Sequence, residues 1–124
     1  MDTNKGKTVL VIGASPNSSR YSYKATLMLA DKKHVVIPFG IRKGQIENHQ
    51  IVHDFPEPNA IDTITLYMNP ERQKPFYTQL LNLNPKRIIF NPGTENSEFE
   101  ALANEKGIET ENACTLVLLS LGSF

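Results

Sequence analysis

Apolar positions along the chain come in short blocks whose periods differ. Residues 7–12, "KTVLVI", are continuous and β-branched, and Gly13 closes them, which marks a strand buried on both faces and so a parallel sheet. Ala25, Met28 and Leu29 then fall at i, i+3 and i+4, with Tyr21 one turn earlier and Asp31-Lys32-Lys33 ending the run. That spacing predicts an amphipathic helix over 21–32, capped between Ser19 and Ser22. "HVVIPF" (34–39) reads as a second strand, stopped by Pro38, and "TITLYM" (63–68) as a third, both apolar enough to be central. A turn at Asn69-Pro70 leads to a helix with its main body at 75–83, because Pro75 breaks an earlier ladder; Phe76, Leu80 and Leu83 share one face of it.

"KRIIF" (86–90) is the next strand and "NSEFEALANEKG" the next helix, with Phe99, Leu102 and Ala103 inward and Gly107 as its stop. "IETEN" is a last short strand, and "CTLVLLSLG" finishes the chain as a short helix. The stretch 40–62, with Pro56 and Pro58, follows no period and holds a short strand near "QIV" and an irregular loop. Strands alternating with helices at this spacing imply right-handed crossovers. The expected fold is therefore α/β: a three-layer α/β/α domain with a mostly parallel open sheet of about five strands, filling residues 1–124 as one domain. Ligands of such sheets collect outside the carboxyl ends of the strands, here 13–22, 38–44, 68–70 and 91–96.

Composition narrows the partners. The 124 residues carry 13 basic and 13 acidic side chains, so no global charge draws the protein to nucleic acid or to a membrane surface. The longest apolar runs fall well short of the ~20 residues that span a bilayer, and "MDTNKGK" does not resemble a secretory leader. One cysteine, Cys114, forms neither an internal disulfide nor a thiolate metal site, which fits a reducing compartment; a cytoplasmic protein, monomeric or weakly self-associating, is expected.

Local charge ranks the strand-to-helix loops as anion sites. Arg20 and Lys24 flank the first loop, and Asp31, at the far end of the helix, is the only acid between Thr3 and Ile46. Ser15, Ser18, Ser19 and Ser22 add hydroxyls, and Gly13 lets the backbone come close. The loop "NPGTENSEFE" instead carries Glu95, Glu98 and Glu100, which satisfy the helix dipole themselves and repel an anion. The dinucleotide fingerprint G-x-G-x-x-G is incomplete, with Ser15 and Ser18 at its second and third glycines. Where an NAD site has an acid after the second strand, this chain has "PFGIRKG" with Arg42 and Lys43. Two cations there suit a ligand with an additional ribose phosphate, coenzyme A or NADP, unless they belong to a merely solvated loop.

The blocks "VIGASPNSSRYSYKA", "VVIPFG", "DTITLYMNPE" and "IIFNPGTENSEFEALANEKGIE", followed by a lone Cys, resemble the small stand-alone CoA-binding domain proteins. These are similar to the N-terminal domain of the succinyl-CoA synthetase alpha subunit, and the resemblance spans about 7–122. It implies a Rossmann-like fold with CoA lying across the strand ends. Carried over, Gly13, Ala14, Ser15, Ser19, Arg20 and Ser22, with Lys24 nearby, would receive the diphosphate. Pro38, Phe39 and Gly40 would border the adenosine, and Lys43, beside Arg42, would approach its 3′-phosphate. Met68, Asn69 and Pro70, with Asn91, Pro92, Gly93 and Thr94, would line the groove toward the pantetheine arm. Many family members have "NP" after the second strand, whereas Phe39-Gly40-Ile41 intervenes here.

No catalytic pair stands out. The synthetase passes phosphate through a histidine of a second domain, which is not expected here. His34 reads as structural; His49 and His53 are i, i+4 apart with only Asp54 as a further ligand, a weak metal pattern. Tyr21 and Lys24 miss the four-residue Tyr-x-x-x-Lys spacing of short-chain dehydrogenases, and Glu95 reads as a helix-start acid. Cys114, in an apolar run, is expected in the core. The reading is a CoA or acyl-CoA binding protein without catalysis, a carrier or sensor; the alternatives are an NADP-dependent oxidoreductase or redox sensor using the same cleft, and an interaction domain with a vestigial cleft.

Overall fold

The computed structural model describes residues 6–124. The chain forms β1 (Thr8–Ile12), β2 (Val35–Phe39), a short antiparallel pair β3 (Gln45–Ile46) and β4 (His49–Gln50), then β5 (Thr63–Leu66), β6 (Arg87–Phe90) and β7 (Glu109–Asn112). Its helices are α1 (Tyr21–Asp31), α2 (Pro70–Gln73), α3 (Tyr77–Asn82), α4 (Ser97–Glu105) and α5 (Thr115–Leu121), with a 3₁₀ turn over Lys74–Phe76. Five strands make one parallel sheet in the order β2-β1-β5-β6-β7, and helices cover both faces, a Rossmann-like α/β domain.

Alternation along β1 divides the core in two. Leu10 and Ile12 point to the layer that holds Leu80 of α3 and Phe99 and Ala103 of α4. Val9 and Val11 point the other way, toward Leu29 of α1 and Leu119 of α5. Because both sets are fully buried, each side chain contributes about 1.5–3 kcal/mol of burial, and no face of β1 is left for water.

Several sequence expectations change. β5 is the middle strand, but β2 is an edge strand and runs through Pro38 to Phe39. An edge tolerates a proline, which has no N–H to donate. Val52 covers that edge, donating to the Pro38 carbonyl (2.9 Å) and accepting from the Gly40 amide (3.2 Å). The stretch 40–62 thus holds the β3–β4 pair and this isolated bridge in place of a strand over 50–52.

In α1 the inward face is Ser22, Ala25, Thr26 and Leu29; Tyr21 is 69 % exposed. Thr26 Oγ1 donates to the Ser22 carbonyl (2.8 Å), so its burial leaves no hydroxyl unpaired. The helical region after β5 starts at Pro70, not at 75. The Asn69 side chain caps it by accepting the Arg72 amide (3.0 Å), with proline at the first helical position. Pro75 then interrupts the ladder through the 3₁₀ turn before α3 resumes. At the amino ends of the strands His34 is structural: its Nδ1 accepts the Lys7 amide (2.9 Å) and its ring meets Phe124 edge-on at 5.0 Å. No helix among the described residues is long and apolar enough to cross a membrane.

Candidate ligand-binding site

The chain steps from β1 outward to β2 and then returns past β1 to β5, so the loops after β1 and β5 diverge at the reversal point of the sheet. That is where open α/β sheets form their ligand crevice. Gly13 makes the approach possible: its φ is +96°, and a Cβ there would lie 2.9 Å from the Tyr67 carbonyl carbon. Gly40 abuts the Ala14 carbonyl so closely that any Cβ would overlap it. A Cβ on Gly44 would sit 3.0 Å from Pro16 Cβ. The loop that carries exposed Arg42 and Lys43 is therefore clamped at both ends onto the loop after β1.

Within that first loop, the Gly13 and Ala14 amides both donate to the Phe39 carbonyl (2.9 Å each) and so shape the turn. Ser15 Oγ accepts the Asn17 amide (3.1 Å), and Asn17 Oδ1 accepts both the Ser19 amide (3.0 Å) and Ser19 Oγ (2.8 Å). This turn presents the start of α1 already folded. The helix itself begins on Arg20 with no side-chain cap and no acid in its first turn. The amides of Ser18, Tyr21 and Ser22 find no protein acceptor among the described residues. Arg20, Lys24, Arg42 and Lys43 are exposed and make no ion pair there; Lys24 lies 5.5 Å over the Tyr21 ring. Open amides, an uncompensated helix dipole and nearby cations are the three ingredients of a phosphate seat. Ser22 is buried on the inward face of α1.

The neighbouring loops are braced from beneath. Gln73, fully buried, donates through Nε2 to the Met68 carbonyl (2.8 Å) and the Thr94 carbonyl (2.9 Å), tying the loops after β5 and β6 together. Asn91 spends its whole side chain: Nδ2 donates to Thr65 Oγ1 (2.6 Å) and the Leu66 carbonyl (2.8 Å), and Oδ1 accepts the Thr115 amide (2.8 Å). Thr94 is buried with its hydroxyl on the Asn91 carbonyl (2.8 Å). Met68 packs on the core and Asn69 caps α2. Of this group, Asn69, Pro92 and Gly93 stand open at the surface, with Gly93 at φ +91° and its amide on Glu95 Oε1 (2.8 Å).

Beyond β6 the crest opens into a cavity of about 260 Å³ lined by Tyr21, Tyr67, Asn91, Pro92, Cys114 and Leu116. Cys114 is thus half-buried in a pocket wall, not in the core as its apolar flanks suggest; it is the residue before α5, turned out as the chain leaves β7. The Tyr67 hydroxyl is buried beside the Thr65 and Thr115 hydroxyls, and burial pushes its pKa up to about 12. His53 Nδ1 lies 2.7 Å from the Gly40 carbonyl.

Sequence reasoning missed Gln73, Asn17, Tyr67 and Leu116. Asn17 had a signal, since an Asx turn just before a helix is a recurrent local pattern. A buried Gln on a four-residue helix has none.

Comparison with solved structures places the chain beside a crystal structure of an uncharacterized protein, 45% identical, with a TM-score of 0.93 over 98% of this chain and 100% of that one. A Thermus thermophilus protein (23% identity, TM-score 0.82, 96% and 91% covered) and a hypothetical protein from Pyrococcus horikoshii (23%, 0.78, 89% and 79%) share the fold. No curated protein matches the chain. The family model described as a CoA binding domain matches residues 7–120, nearly the whole chain, and the protein belongs to that family.

Proposed function

We propose that the protein binds coenzyme A or an acyl-CoA as a carrier or sensor, without catalysing a reaction on it. The observation that carries this reading is the start of α1: no cap, no acid, free amides, and cations from two loops clamped together. In this reading the diphosphate sits on the Ser15–Ser22 turn with Arg20 and Lys24. Pro38, Phe39 and Gly40, all buried, form the floor beside the adenosine. Lys43, with Arg42, meets the 3′-phosphate. The pantetheine arm passes Met68, Asn69 and Pro70 and then Asn91, Pro92, Gly93 and Thr94.

Calorimetric titration tests it directly. CoA is expected to bind more tightly than NADP or NAD, and silence at millimolar CoA would end the reading. Removing one charge-assisted contact to a phosphate costs about 1.5–3 kcal/mol when the contact is desolvated. Lys43→Ala is expected to weaken CoA about tenfold and to leave dephospho-CoA unchanged. Equal losses for the two ligands would take Lys43 away from the 3′-phosphate.

A further inference from the structure

α5 is fastened at its two ends by different chemistry. At the crest Thr115 is buried, with its amide on Asn91 Oδ1 (2.8 Å) and its hydroxyl paired with Thr65 Oγ1 (2.7 Å), and none of these groups titrates near neutral pH. Along the helix only Thr115 and Leu119 are buried. At the opposite end the chain turns at Gly122 (φ +71°), and Phe124 closes against the amino ends of the strands. The main-chain oxygen of Phe124 accepts Lys7 Nζ (2.7 Å). Around its ring stand the Arg87 guanidinium (4.5 Å), Lys7 Nζ (5.3 Å) and the His34 ring, edge-on at 5.0 Å. Two of these three side chains are already cations.

His34 fits this cluster only while it is neutral. Its Nδ1 accepts the Lys7 amide (2.9 Å), so a proton on Nδ1 would set two donors against each other. We infer that His34 is a pH-operated latch: neutral, it holds Phe124 and the end of α5 against the sheet, and protonated, it releases them. Among the described residues, the charged groups that face the ring are Lys7 before β1, Arg87 of β6 and Asp62 before β5. Burial, then Lys7, then Arg87 hold the His34 pKa below the ordinary 6.5. Asp62 opposes them, but it also accepts the Thr63 hydroxyl (2.7 Å) and lies 3.9 Å from Lys86 Nζ. The folded chain therefore binds this proton less readily than the unfolded one. The contribution of the latch is complete above 6.5 and is lost as the pH falls through that value toward the lower folded one. Release stays local, because the crest end of α5 holds by groups that keep their charge state, and it reaches the cavity only through the helix that carries Leu116.

NMR of the whole chain from about pH 8 to about pH 5 tests this. The Gly122 and Ser123 amides donate to the Leu119 and Leu118 carbonyls, and their hydrogen-exchange protection factors report the closed end of α5. Protection is expected to fall at least about tenfold in step with the titration of the His34 ring, while the amides of β1 and β5 keep theirs. His34→Asn keeps a side-chain acceptor and cannot titrate, so its protection should stay level across the range. Phe124→Ala should leave protection low at both ends of the range and let the His34 midpoint rise. Unchanged protection in the wild type while His34 titrates, or the same loss in His34→Asn, would overturn the latch. Should His34→Asn fail to fold, the wild type decides alone: a loss of protection whose midpoint differs from that of the His34 ring overturns it equally.

Discussion

α1 and α4 both begin where a parallel strand ends, so both aim an amino terminus at the same crest, yet they are finished in opposite ways. α4 is closed: Asn96 Oδ1 accepts the Phe99 amide (3.0 Å), Glu98 and Glu100 sit in its first turn, and Glu95 takes the Gly93 amide. α1 has none of these. The loop before it is nevertheless fully organised, with Asn17 and Ser15 holding the turn in shape. The difference teaches that an uncapped helix start is not a weakly built one. Its local geometry is secured by the loop's own side chains, while the amides at its start are left without a protein acceptor among the described residues.

The sharpest way to break the contrast is to spoil the approach of the first loop. Gly13→Ala adds a Cβ at φ +96°, 2.9 Å from the Tyr67 carbonyl carbon, so either the turn or the β5 end must move. Such strain costs about 1–3 kcal/mol of stability. A displaced turn also moves the open amides, and CoA affinity is expected to fall by about two orders of magnitude, the largest effect of any single change considered. Thermal unfolding and calorimetry together check it: unfolding at a lower temperature with unchanged affinity would mean that the position of the loop does not matter for the ligand.

Much of this contrast is already legible in the sequence. The acids of α4 and their absence around α1 mark the two helix starts as different before any geometry is known, because charge near a helix end acts locally and is visible as composition. The continuous apolar run of β1 likewise reports burial on both faces. What stays hidden is whatever depends on partners far along the chain. Pro38 reads as a stop because its edge position is set by strand order, not by its neighbours. Cys114 reads as core because its flanks are apolar; only the turn from β7 into α5 carries it to a cavity wall. Gln73 joins two loops by its bonds to Met68 and to Thr94, the latter 21 residues further along the chain, and a local pattern has no way to announce that.

Finishing α1 as α4 is finished sharpens the comparison. Arg20→Asp puts a carboxylate at the cap position, where it accepts a free amide and meets the helix dipole, while removing a cation. A good cap contributes about 0.5–2 kcal/mol. The variant is therefore expected to unfold at a higher temperature than the wild type and to bind CoA about ten- to thirtyfold more weakly, since the same donors cannot serve both a carboxylate and a phosphate. A variant that gains stability and keeps its affinity would show that the helix start is not the phosphate seat.

The converse change opens α4. Glu98 lies in its first turn and accepts the Tyr77 hydroxyl (3.0 Å) at an exposed position, so Glu98→Gln keeps the acceptor and removes only the charge. The loss of an exposed charge–dipole interaction is worth about 0.3–1 kcal/mol and shrinks with salt. Stability should fall by that amount at low ionic strength and by less at high. CoA affinity should not change: Asn96 still occupies the Phe99 amide and Glu95 the Gly93 amide, so neutralising one acid frees no donor for an anion. If Glu98→Gln instead tightened CoA binding severalfold, the acids of α4 would be repelling the ligand at close range, and the diphosphate would have to sit nearer β6 than the start of α1 allows.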